Sequence, residues 1–151
     1  MNTYVILDNI RSVHNVGSIF RTCDAAGVTK LYLCGLTPIP VDRFGRVRKD
    51  MAKVALGAEK NAAWEYAYNT QDVIEKLKQD GVWIVAVEQN PHSKLCTDIS
   101  VQGPIAFVFG GEVAGISKEI LKMCDEIIEI PMRGKKESLN VSVTVGIILF
   151  R

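Results

Sequence analysis

The sequence predicts a single α/β domain whose mostly parallel sheet is flanked by helices. The chain has 151 residues and no break in composition, a length that suits one domain with its own core. Short runs rich in β-branched and aliphatic residues alternate with segments of helical spacing, and this alternation favours a parallel sheet. The five predicted strands span residues 4–7, 30–34, 82–87, 105–109 and 126–130.

Several segments between these strands have patterns typical of helices. A helix with one buried face carries apolar residues at i, i+3, i+4 and i+7, and this spacing is found at Val16, Ile19, Phe20 and Cys23. Residues 72–79 and 117–124 are also predicted to be helical, and Ser117 is placed to cap the second of these helices. The alanine-rich stretch 52–68 is predicted to be helical in part.

The last segment of the chain gives contradictory indications. Apolar residues alternate with polar or small ones at Leu139, Val141, Val143 and Val145. This alternation predicts a strand. If the segment is a helix instead, apolar residues lie on almost every side of it, and it must be covered by its own sheet and by another subunit.

Composition excludes several classes of protein. Hydrophobic residues make up 48% and charged residues 23% of the chain, which is typical of a soluble globular protein. The N-terminus has no basic region followed by an apolar run, and no apolar stretch approaches the roughly 20 residues of a membrane span. We therefore expect a cytoplasmic protein without a membrane segment.

The cysteines and histidines form no grouping with the spacing of metal ligands. His14 and His92 are far apart, and no Cys-x-x-Cys pair occurs among Cys23, Cys34, Cys96 and Cys124. We expect buried or idle reduced thiols and no bound metal.

The basic residues are unevenly distributed. A net charge of +1 does not indicate a protein that coats nucleic acid, because such proteins are usually strongly basic. Five cations nevertheless fall within eleven positions, namely Arg43, Arg46, Arg48, Lys49 and Lys53. Clustered cations can attract phosphates even in a chain that is nearly neutral. The alternative is an ordinary solvated loop.

The segment 9–21 follows the first predicted strand and contains a candidate anion site. Asn15 is a natural helix N-cap, and Gly17 would lie in the first turn. Arg21 would then project over Gly17, where no side chain stops its guanidinium from reaching toward Asn15. An arginine beside a helix N-terminus suits a phosphate or a sugar. The alternative is a surface arginine on a capped helix.

The segment 107–117 carries an apolar strand into a glycine-rich turn and then a helix. The turn contains Gly110, Gly111, Glu112 and Gly115. Ligands of open α/β sheets bind outside the carboxyl ends of strands, and glycines there let the backbone come close to a ligand. The spacing matches neither Gly-x-Gly-x-x-Gly nor a P-loop, which disfavours nicotinamide and nucleoside triphosphate ligands. An ordinary tight turn is the alternative.

The segment 128–143 contains a third polar cluster. A predicted strand ends at Pro131, a polar loop follows, and Ser138 is suited to cap the next element. Ser138 and Asn140 can both donate and accept hydrogen bonds. The alternative is a capping serine followed by a turn asparagine.

Taken in this order, the three segments resemble the three motifs of the SpoU family of RNA ribose 2′-O-methyltransferases, within the SPOUT class. The resemblance runs from Asp8 to the C-terminus, and its strongest part is Ile-Pro-Met at 130–132 followed by Ser-Leu-Asn-Val-Ser-Val at 138–143. It implies one methyltransferase domain over residues 1–151, without a further RNA-binding domain. It also implies a C-terminal trefoil knot, which composition could not indicate because chains generally avoid knots. The last segment is then a helix.

The resemblance also implies a cofactor, a set of site residues and partners. S-adenosylmethionine would be held mainly by backbone groups at Gly110, Ile130 and Leu139, with further contacts at Val87, Glu88 and Met132. The catalytic residues implied by the motifs are Asn15, Arg21, Glu112, Ser138 and Asn140. The implied assembly is a homodimer with its site near the subunit boundary.

Arg21 would act on the ribose hydroxyl, either as a base or by stabilising the developing alkoxide. Substrate RNA, either tRNA or rRNA, would be selected by the basic cluster at 43–53 or by an accessory protein. Two alternatives remain. One is a non-catalytic RNA-binding module with the same fold. The other is a small α/β enzyme that uses another nucleotide cofactor, which the missing glycine fingerprint disfavours.

Overall fold

Seven parallel strands form one sheet in the computed structural model, which describes residues 1–151. The strands are β1 (Thr3–Asp8), β2 (Lys30–Cys34), β3 (Trp64–Ala67), β4 (Trp83–Val87), β5 (Lys94–Leu95), β6 (Ile105–Gly110) and β7 (Glu126–Glu129). Their spatial order is β3-β2-β1-β6-β4-β7-β5, and every neighbouring pair is parallel. The predicted α/β domain with a parallel sheet flanked by helices is therefore confirmed.

Helices cover both faces of the sheet. They are α1 (Val13–Ala26), α2 (Lys49–Ala55), α3 (Ala58–Asn61), α4 (Thr70–Gln79), α5 (Lys118–Met123) and α6 (Val141–Phe150), with a 3-10 turn at Cys96–Asp98. Helices α1, α2 and α6 pack on one face, and α4 and α5 pack on the other. In β1, Val5 and Leu7 point to the first face and Ile6 to the second, because successive strand residues alternate.

The predicted strands and three predicted helices are confirmed. The spans around residues 16–23, 72–79 and 117–124 are α1, α4 and α5. Ser117 caps α5 as predicted, since its Oγ accepts a hydrogen bond from the backbone N–H of Ile120 at 3.3 Å. Two short strands were not predicted, β3 and the two-residue β5.

The prediction of a partly helical stretch over residues 52–68 is only partly right. Helix α2 ends at Ala55, because Leu56 and Gly57 both have positive φ angles, of 54° and 91°. A right-handed helix cannot continue through such residues. After the four-residue α3, the chain becomes β3 and extends the sheet beyond β2.

Two helices at the carboxyl edge of the sheet are capped by other residues than the sequence predicts. Helix α1 is capped by Ser12, whose Oγ accepts from the backbone N–H of Asn15 at 3.1 Å. Helix α6 is capped by Asn140, whose Oδ1 accepts from the N–H of Ser142 at 2.8 Å. The cap predictions for Asn15 and Ser138 are wrong, because each helix uses the polar residue immediately before its first residue. The Asn15 side chain is thereby left free for other contacts.

The last segment, in which the sequence indications conflict, is helical. The strand predicted from its alternating pattern is therefore wrong. One face of α6 is buried against the core through Val141, Val145 and Ile148. A second apolar stripe faces outward and consists of Leu139, just before the helix, Val143, Ile147 and Phe150. Valines on two opposite faces of one helix produce an alternation that mimics a strand.

Gly17 serves helix packing rather than the reach of Arg21. A Cβ atom at Gly17 would lie 3.0 Å from Val54 Cβ and 3.1 Å from the carbonyl oxygen of Met51. Helices α1 and α2 therefore approach each other closely at this glycine. The expectation that the missing side chain lets Arg21 reach toward Asn15 is wrong, because α2 occupies that space.

Three of the four cysteines are buried, as the sequence suggested. Cys23, Cys34 and Cys96 lie in the cores on the two faces of the sheet. Burial raises the pKa of the Cys23 and Cys34 thiols to about 12, so both are uncharged at neutral pH. No helix is both long and apolar enough to cross a membrane.

Candidate functional site

Two cavities open at the carboxyl edge of the sheet, where ligands of parallel α/β sheets commonly bind. The first has a volume of about 200 Å³ and lies at the ends of β4, β6 and β7, beside residues 137–141. Its wall contains all six residues that the family resemblance assigns to the cofactor, namely Val87, Glu88, Gly110, Ile130, Met132 and Leu139. These residues come from four separate parts of the chain.

The turn after β6 requires glycine at position 110. A Cβ atom there would lie 2.5 Å from the carbonyl carbon of Gly115 and 2.7 Å from the nitrogen of Ile116. The turn folds back on itself, and the N–H of Gly115 donates to the carbonyl oxygen of Gly111 at 2.8 Å. Part of the cavity wall is therefore bare backbone.

Polar side chains tie the neighbouring loops together around this cavity. Glu88 Oε2 accepts a hydrogen bond from the N–H of Ile116 at 2.7 Å, which joins the end of β4 to the glycine turn. Gln89 Nε2 donates to the carbonyl oxygen of Glu137 at 2.7 Å, which joins the same strand end to the loop before α6. The cavity is thus framed by loops that hold one another.

The first cavity is acidic. Four carboxylates line it, and no lysine or arginine does; the four are Glu88, Glu112, Glu129 and Glu137. A concave site lined by one sign of charge attracts the opposite sign and repels its own. The remaining wall includes apolar side chains such as Val87 and Leu139. The cavity therefore suits a ligand that combines a cationic group with an apolar body, and it disfavours a phosphate.

Three segments that are distant in sequence meet in a chain of side-chain hydrogen bonds. Asn140 Nδ2 donates to Asn15 Oδ1 at 3.2 Å, and Asn15 Nδ2 donates to Glu112 Oε1 at 3.4 Å. Asn15 is only 7% exposed, so both ends of its amide are fixed by partners from the other two segments. Ser138 is exposed and lines the same cavity as Glu112.

The second cavity is larger, about 790 Å³, and lies between the loops that follow β1 and β6. These two strands are neighbours, yet the helices after them, α1 and α5, cover opposite faces of the sheet. Such a topological switch point is where open α/β sheets bind ligands. The two cavities share wall residues, namely Gly111, Glu112, Gly115 and Val141. Asn15 lines the second cavity at this shared wall.

Arg21 lies outside both cavities. Its side chain is exposed on α1, four residues after Gly17 and therefore on the side of the helix that faces α2. Within one chain, the structure brings together Asn15, Glu112, Ser138 and Asn140. It does not bring Arg21 to them.

The basic segment 43–53 also lies apart from the cavities, and part of its charge is already paired. Arg46 Nε lies 3.0 Å from Asp42 Oδ2, and Arg48 forms a two-point contact with Asp50 at 3.0 and 3.2 Å. The backbone N–H of Arg46 and the Arg48 guanidinium are the main causes that lower the pKa values of Asp42 and Asp50, respectively. The side chains of Asp42 and Asp50 are 35% and 57% exposed, so water screens these pairs and they contribute little to stability.

Comparison with known proteins decides the family. A model of the SpoU rRNA Methylase family matches residues 2–150, which is nearly the whole chain. The chain belongs to the SpoU family. The resemblance drawn from the three sequence segments is confirmed.

Several SpoU relatives are ribosomal RNA methyltransferases. The chain is 34% identical over 146 residues to the 23S rRNA (guanosine-2′-O-)-methyltransferase RlmB of Ralstonia nicotianae, covering 97% of this chain and 56% of that protein. It is 37% identical over 151 residues to the same enzyme of Photobacterium profundum, covering 97% and 57%. The chain thus spans about half the length of the curated relatives it matches.

Solved structures of SpoU proteins have the same fold. An AdoMet-bound rRNA methyltransferase from Sinorhizobium meliloti superposes with a TM-score of 0.89 at 31% identity, covering 99% of this chain and 54% of that chain. The A. aeolicus TrmH/SpoU tRNA modifying enzyme gives a TM-score of 0.85 at 33% identity, covering 99% and 72%.

Sequence reasoning missed several residues that shape this SpoU site. They are Asp8, Gln89, Glu129 and Glu137. Asp8 and Glu129 are the last residues of β1 and β7. A polar residue at the carboxyl end of a predicted strand is therefore the indication that could have found them. No local pattern could have indicated the contact between Gln89 and Glu137, which are 48 residues apart.

Proposed function

We propose that this chain transfers a methyl group from S-adenosylmethionine to a ribose 2′-hydroxyl of ribosomal or transfer RNA. Its membership of the SpoU family and its similarity to 2′-O-methyltransferases support the proposal. The observation that carries it is the hydrogen-bonded chain Asn140–Asn15–Glu112. These two hydrogen bonds join all three family segments at the edge of the acidic cavity.

The residues of the acidic cavity fit S-adenosylmethionine. Four carboxylates favour its cationic sulfonium and ammonium groups, and the apolar wall suits the adenosyl body. The positions that would hold it are Gly110, Ile130 and Leu139, with Val87, Glu88 and Met132 around them. When bound, the cofactor would supply a methyl group carried on a positively charged sulfur. This sulfur is a good leaving group for attack by the ribose oxygen on the methyl carbon, because it departs as a neutral thioether.

The polar residues at the shared wall would position the ribose. Because Asn15 is held from both sides, its neighbours Glu112 and Asn140 keep a fixed geometry, and alignment of the reacting atoms is a large part of such catalysis. Glu112 would accept the hydroxyl proton, and Ser138 would donate a hydrogen bond to the sugar. A guanidinium group donates hydrogen bonds and has no acceptor atom, so we assign Arg21 to stabilising the alkoxide and the neighbouring phosphate rather than to removing the proton.

We propose that the chain acts as a homodimer formed through α6. The outward stripe of α6 leaves Val143, Ile147 and Phe150 at 49%, 39% and 62% exposure, which a second copy would bury. Ile147→Asp is expected to halve the mass measured by light scattering. Leu95→Asp is the matched control, because Leu95 is 41% exposed but lies on β5. An unchanged mass for Ile147→Asp contradicts this interface.

In this dimer, Arg21 would act in the site of the partner subunit, since it lies outside the cavities of its own subunit. Mixing Arg21→Ala with Gly110→Ala tests this directly. In a mixed dimer, the intact cavity of the Arg21→Ala subunit receives the intact arginine of the Gly110→Ala subunit, and the other site remains defective. Because random exchange makes about half of the dimers mixed, roughly a quarter of wild-type activity should return. If Arg21 serves its own subunit, every site in the mixture is defective and activity stays at the level of the separate variants.

Three further features belong to the same proposal. The basic segment 43–53 would hold RNA outside the cavities, alone or together with an accessory protein. An RNA substrate would place the enzyme in the cytoplasm. The C-terminal part would form the trefoil knot of the SPOUT class, and the contact of Gln89 with the loop before α6 is in keeping with it. A crystal structure with an unknotted chain trace would remove that last feature.

Two measurements test the activity. Calorimetry should show saturable binding of S-adenosylmethionine, and incubation with bulk RNA should yield 2′-O-methylated nucleosides detectable by mass spectrometry. Absence of cofactor binding would favour an enzyme with another cofactor, and binding without RNA methylation would favour the non-catalytic module.

Arg21→Ala should abolish methylation and leave the cofactor Kd nearly unchanged. A large rise in that Kd in the folded variant would mean that Arg21 is misassigned.

A further inference from the structure

The second cavity contains a buried carboxylate that the proposed methyl transfer does not use. Asp8, the last residue of β1, is 5% exposed and lines this cavity. Its Oδ1 accepts hydrogen bonds from Thr70 Oγ1 at 2.5 Å and from Asn9 Nδ2 at 3.5 Å. No protein group donates to Oδ2, and the only polar side-chain atom sealed away without a partner is Oε2 of Glu59. Asp8 Oδ2 is therefore not sealed from solvent, and the second cavity is the one that Asp8 lines.

An unpartnered carboxylate oxygen in such a place is unfavourable for the folded protein. Burial raises the pKa of Asp8, although the hydrogen bond from Thr70 acts in the opposite direction. The ionised form is thus less stable in the folded chain than in water. Groups of this kind are commonly kept where a ligand supplies the missing partner. The partner that Oδ2 lacks is a hydrogen-bond donor.

The mouth of the same cavity is apolar and aromatic. Leu36, Tyr68 and Val113 are 61%, 85% and 104% exposed, and all three line it. They follow β2, β3 and β6, so they surround the opening from separate loops. A flat, partly apolar group would cover this exposed surface, and a tyrosine ring is a good stacking platform for a nucleobase.

The cavity also has a positive side. Ser12 and Asn69, the N-caps of α1 and α4, line the second cavity, so the N-terminal ends of both helices lie beside it. Arg11 also lines this cavity. Free backbone N–H groups beside a guanidinium suit a phosphate. A volume of about 790 Å³ is ample for one nucleotide. The wall thus offers an acceptor for a base, a stacking surface and a place for a phosphate.

We propose that the second cavity binds the nucleotide whose ribose is methylated, with Tyr68 stacked on its base and Asp8 Oδ2 accepting a hydrogen bond from an amino group of that base. The placement rests on the proposed methyl transfer, because the wall shared by the two cavities carries Glu112 and would then receive the ribose. Guanine, adenine and cytosine carry amino groups, whereas uracil has none, and its single N3–H donor lies between two carbonyl oxygens that a carboxylate repels. The cavity therefore selects an amino-bearing base.

Nucleotide binding to the full-length chain tests this assignment. The probes are GMP, AMP, CMP and UMP, each titrated into ¹⁵N-labelled protein and followed by amide chemical shifts. At least one of the three amino-bearing nucleotides should shift the amides of residues 8–12 and 111–115 and bind about fivefold more tightly than UMP. Equal binding of all four, or shifts confined to other residues, would overturn the assignment.

Two variants separate the contributions of carboxylate and ring. Asp8→Asn should remove the preference over UMP, while Asp72→Asn, which removes an exposed carboxylate from α4, should retain it. Tyr68→Ala should weaken all four nucleotides by about tenfold, because stacking is tolerant of base identity. Asp8→Asn should keep or raise the Tm, since it removes a buried charge, and Tyr68 is too exposed for its loss to unfold the chain.

The outcomes distinguish this inference from the methyl transfer itself. If the nucleotides bind in the second cavity but S-adenosylmethionine does not bind, the methyl transfer fails and the nucleotide site stands. If RNA is methylated while Asp8→Asn and Tyr68→Ala leave both nucleotide binding and the methylation rate unchanged, the nucleotide site alone fails.

Discussion

The two cavities at the carboxyl edge of the sheet differ in charge and in the loops that build them. The first is lined by four glutamates and no cation, and its loops follow β4, β6 and β7. The second lies at the switch point between β1 and β6, where Arg11 and two helix N-termini offset its acids. Only the turn after β6 and Val141 contribute to both cavities.

This difference shows how one sheet edge can keep two substrates of opposite charge apart. A cationic methyl donor is favoured in the acidic cavity, and an RNA phosphate is repelled from it. In the proposed arrangement, the phosphate would lie at the positive side of the second cavity. Glu112, which accepts a hydrogen bond from Asn15, lies in the wall between the two cavities, where the methyl donor and the acceptor would meet in the proposed reaction. Each of the following predictions alters one side of this arrangement or the wall itself.

The largest effect is expected from Gly110→Ala, which disturbs the turn that lines both cavities. The new Cβ would lie 2.5 Å from the carbonyl carbon of Gly115, so the turn must open. The part of the cavity wall that the turn forms would then be displaced. We expect cofactor affinity, measured by calorimetry, to fall by about 100-fold or more, because a misplaced binding loop loses several contacts at once. Gly134→Ala is the matched control, since a Cβ there meets no atom within 4 Å. Comparable Kd values for the two variants would contradict a rigid turn.

A smaller effect is expected at the wall, from breaking the amide chain. Asn15→Ala leaves Asn140 and Glu112 without their shared partner, whereas Asn140→Ala removes one of these two hydrogen bonds together with the cap of α6. Each change should lower the free energy of unfolding by about 1 kcal/mol or more, Asn15→Ala because the residue is buried and Asn140→Ala because α6 also loses its cap. A double-mutant cycle by urea unfolding should give a coupling of about 0.5 kcal/mol or more between the two residues. Strict additivity would mean that the 3.2 Å contact contributes nothing.

The contrast between the cavities also marks what the sequence could predict. Four of the six residues assigned to the first cavity, namely Gly110, Ile130, Met132 and Leu139, are local parts of segments whose order identifies the family. The five main strands follow from runs of β-branched residues such as Val5 and Ile6, which are buried on opposite faces of the sheet. These motifs and strands depend on residues that are neighbours along the chain, so they can be predicted from the sequence alone.

Features that depend on distant contacts could not be predicted. Gly17 is a helix-packing glycine only because α2 returns to it, and Asn15 links two loops about 100 residues further along the chain. The helical state of α6 was hidden because its valines serve two opposite surfaces. Of the second cavity, the sequence indicated Asn15 and Glu112 but not Asp8, Tyr68 or Val113. These three share no local pattern and meet only through the strand order.

The smallest effect is expected from the basic segment, which lies outside both cavities and should set RNA affinity without choosing the nucleotide. Lys49 and Lys53 form no salt bridge within the chain, whereas Arg46 and Arg48 are paired with Asp42 and Asp50. Cations that are free in the protein gain most from a phosphate, because the paired ones must first give up a carboxylate. The two pairs of cations should therefore respond differently to the same loss of charge.

Changing Lys49 and Lys53 together to glutamine should reduce the slope of log affinity against log salt by about two, read from RNA binding at several salt concentrations. The same change at Arg46 and Arg48 should reduce it by less. Equal reductions would mean that the ion pairs open when RNA binds. If neither double variant changes the slope, the segment does not contact RNA, and the positive side of the second cavity must supply the phosphate contacts instead.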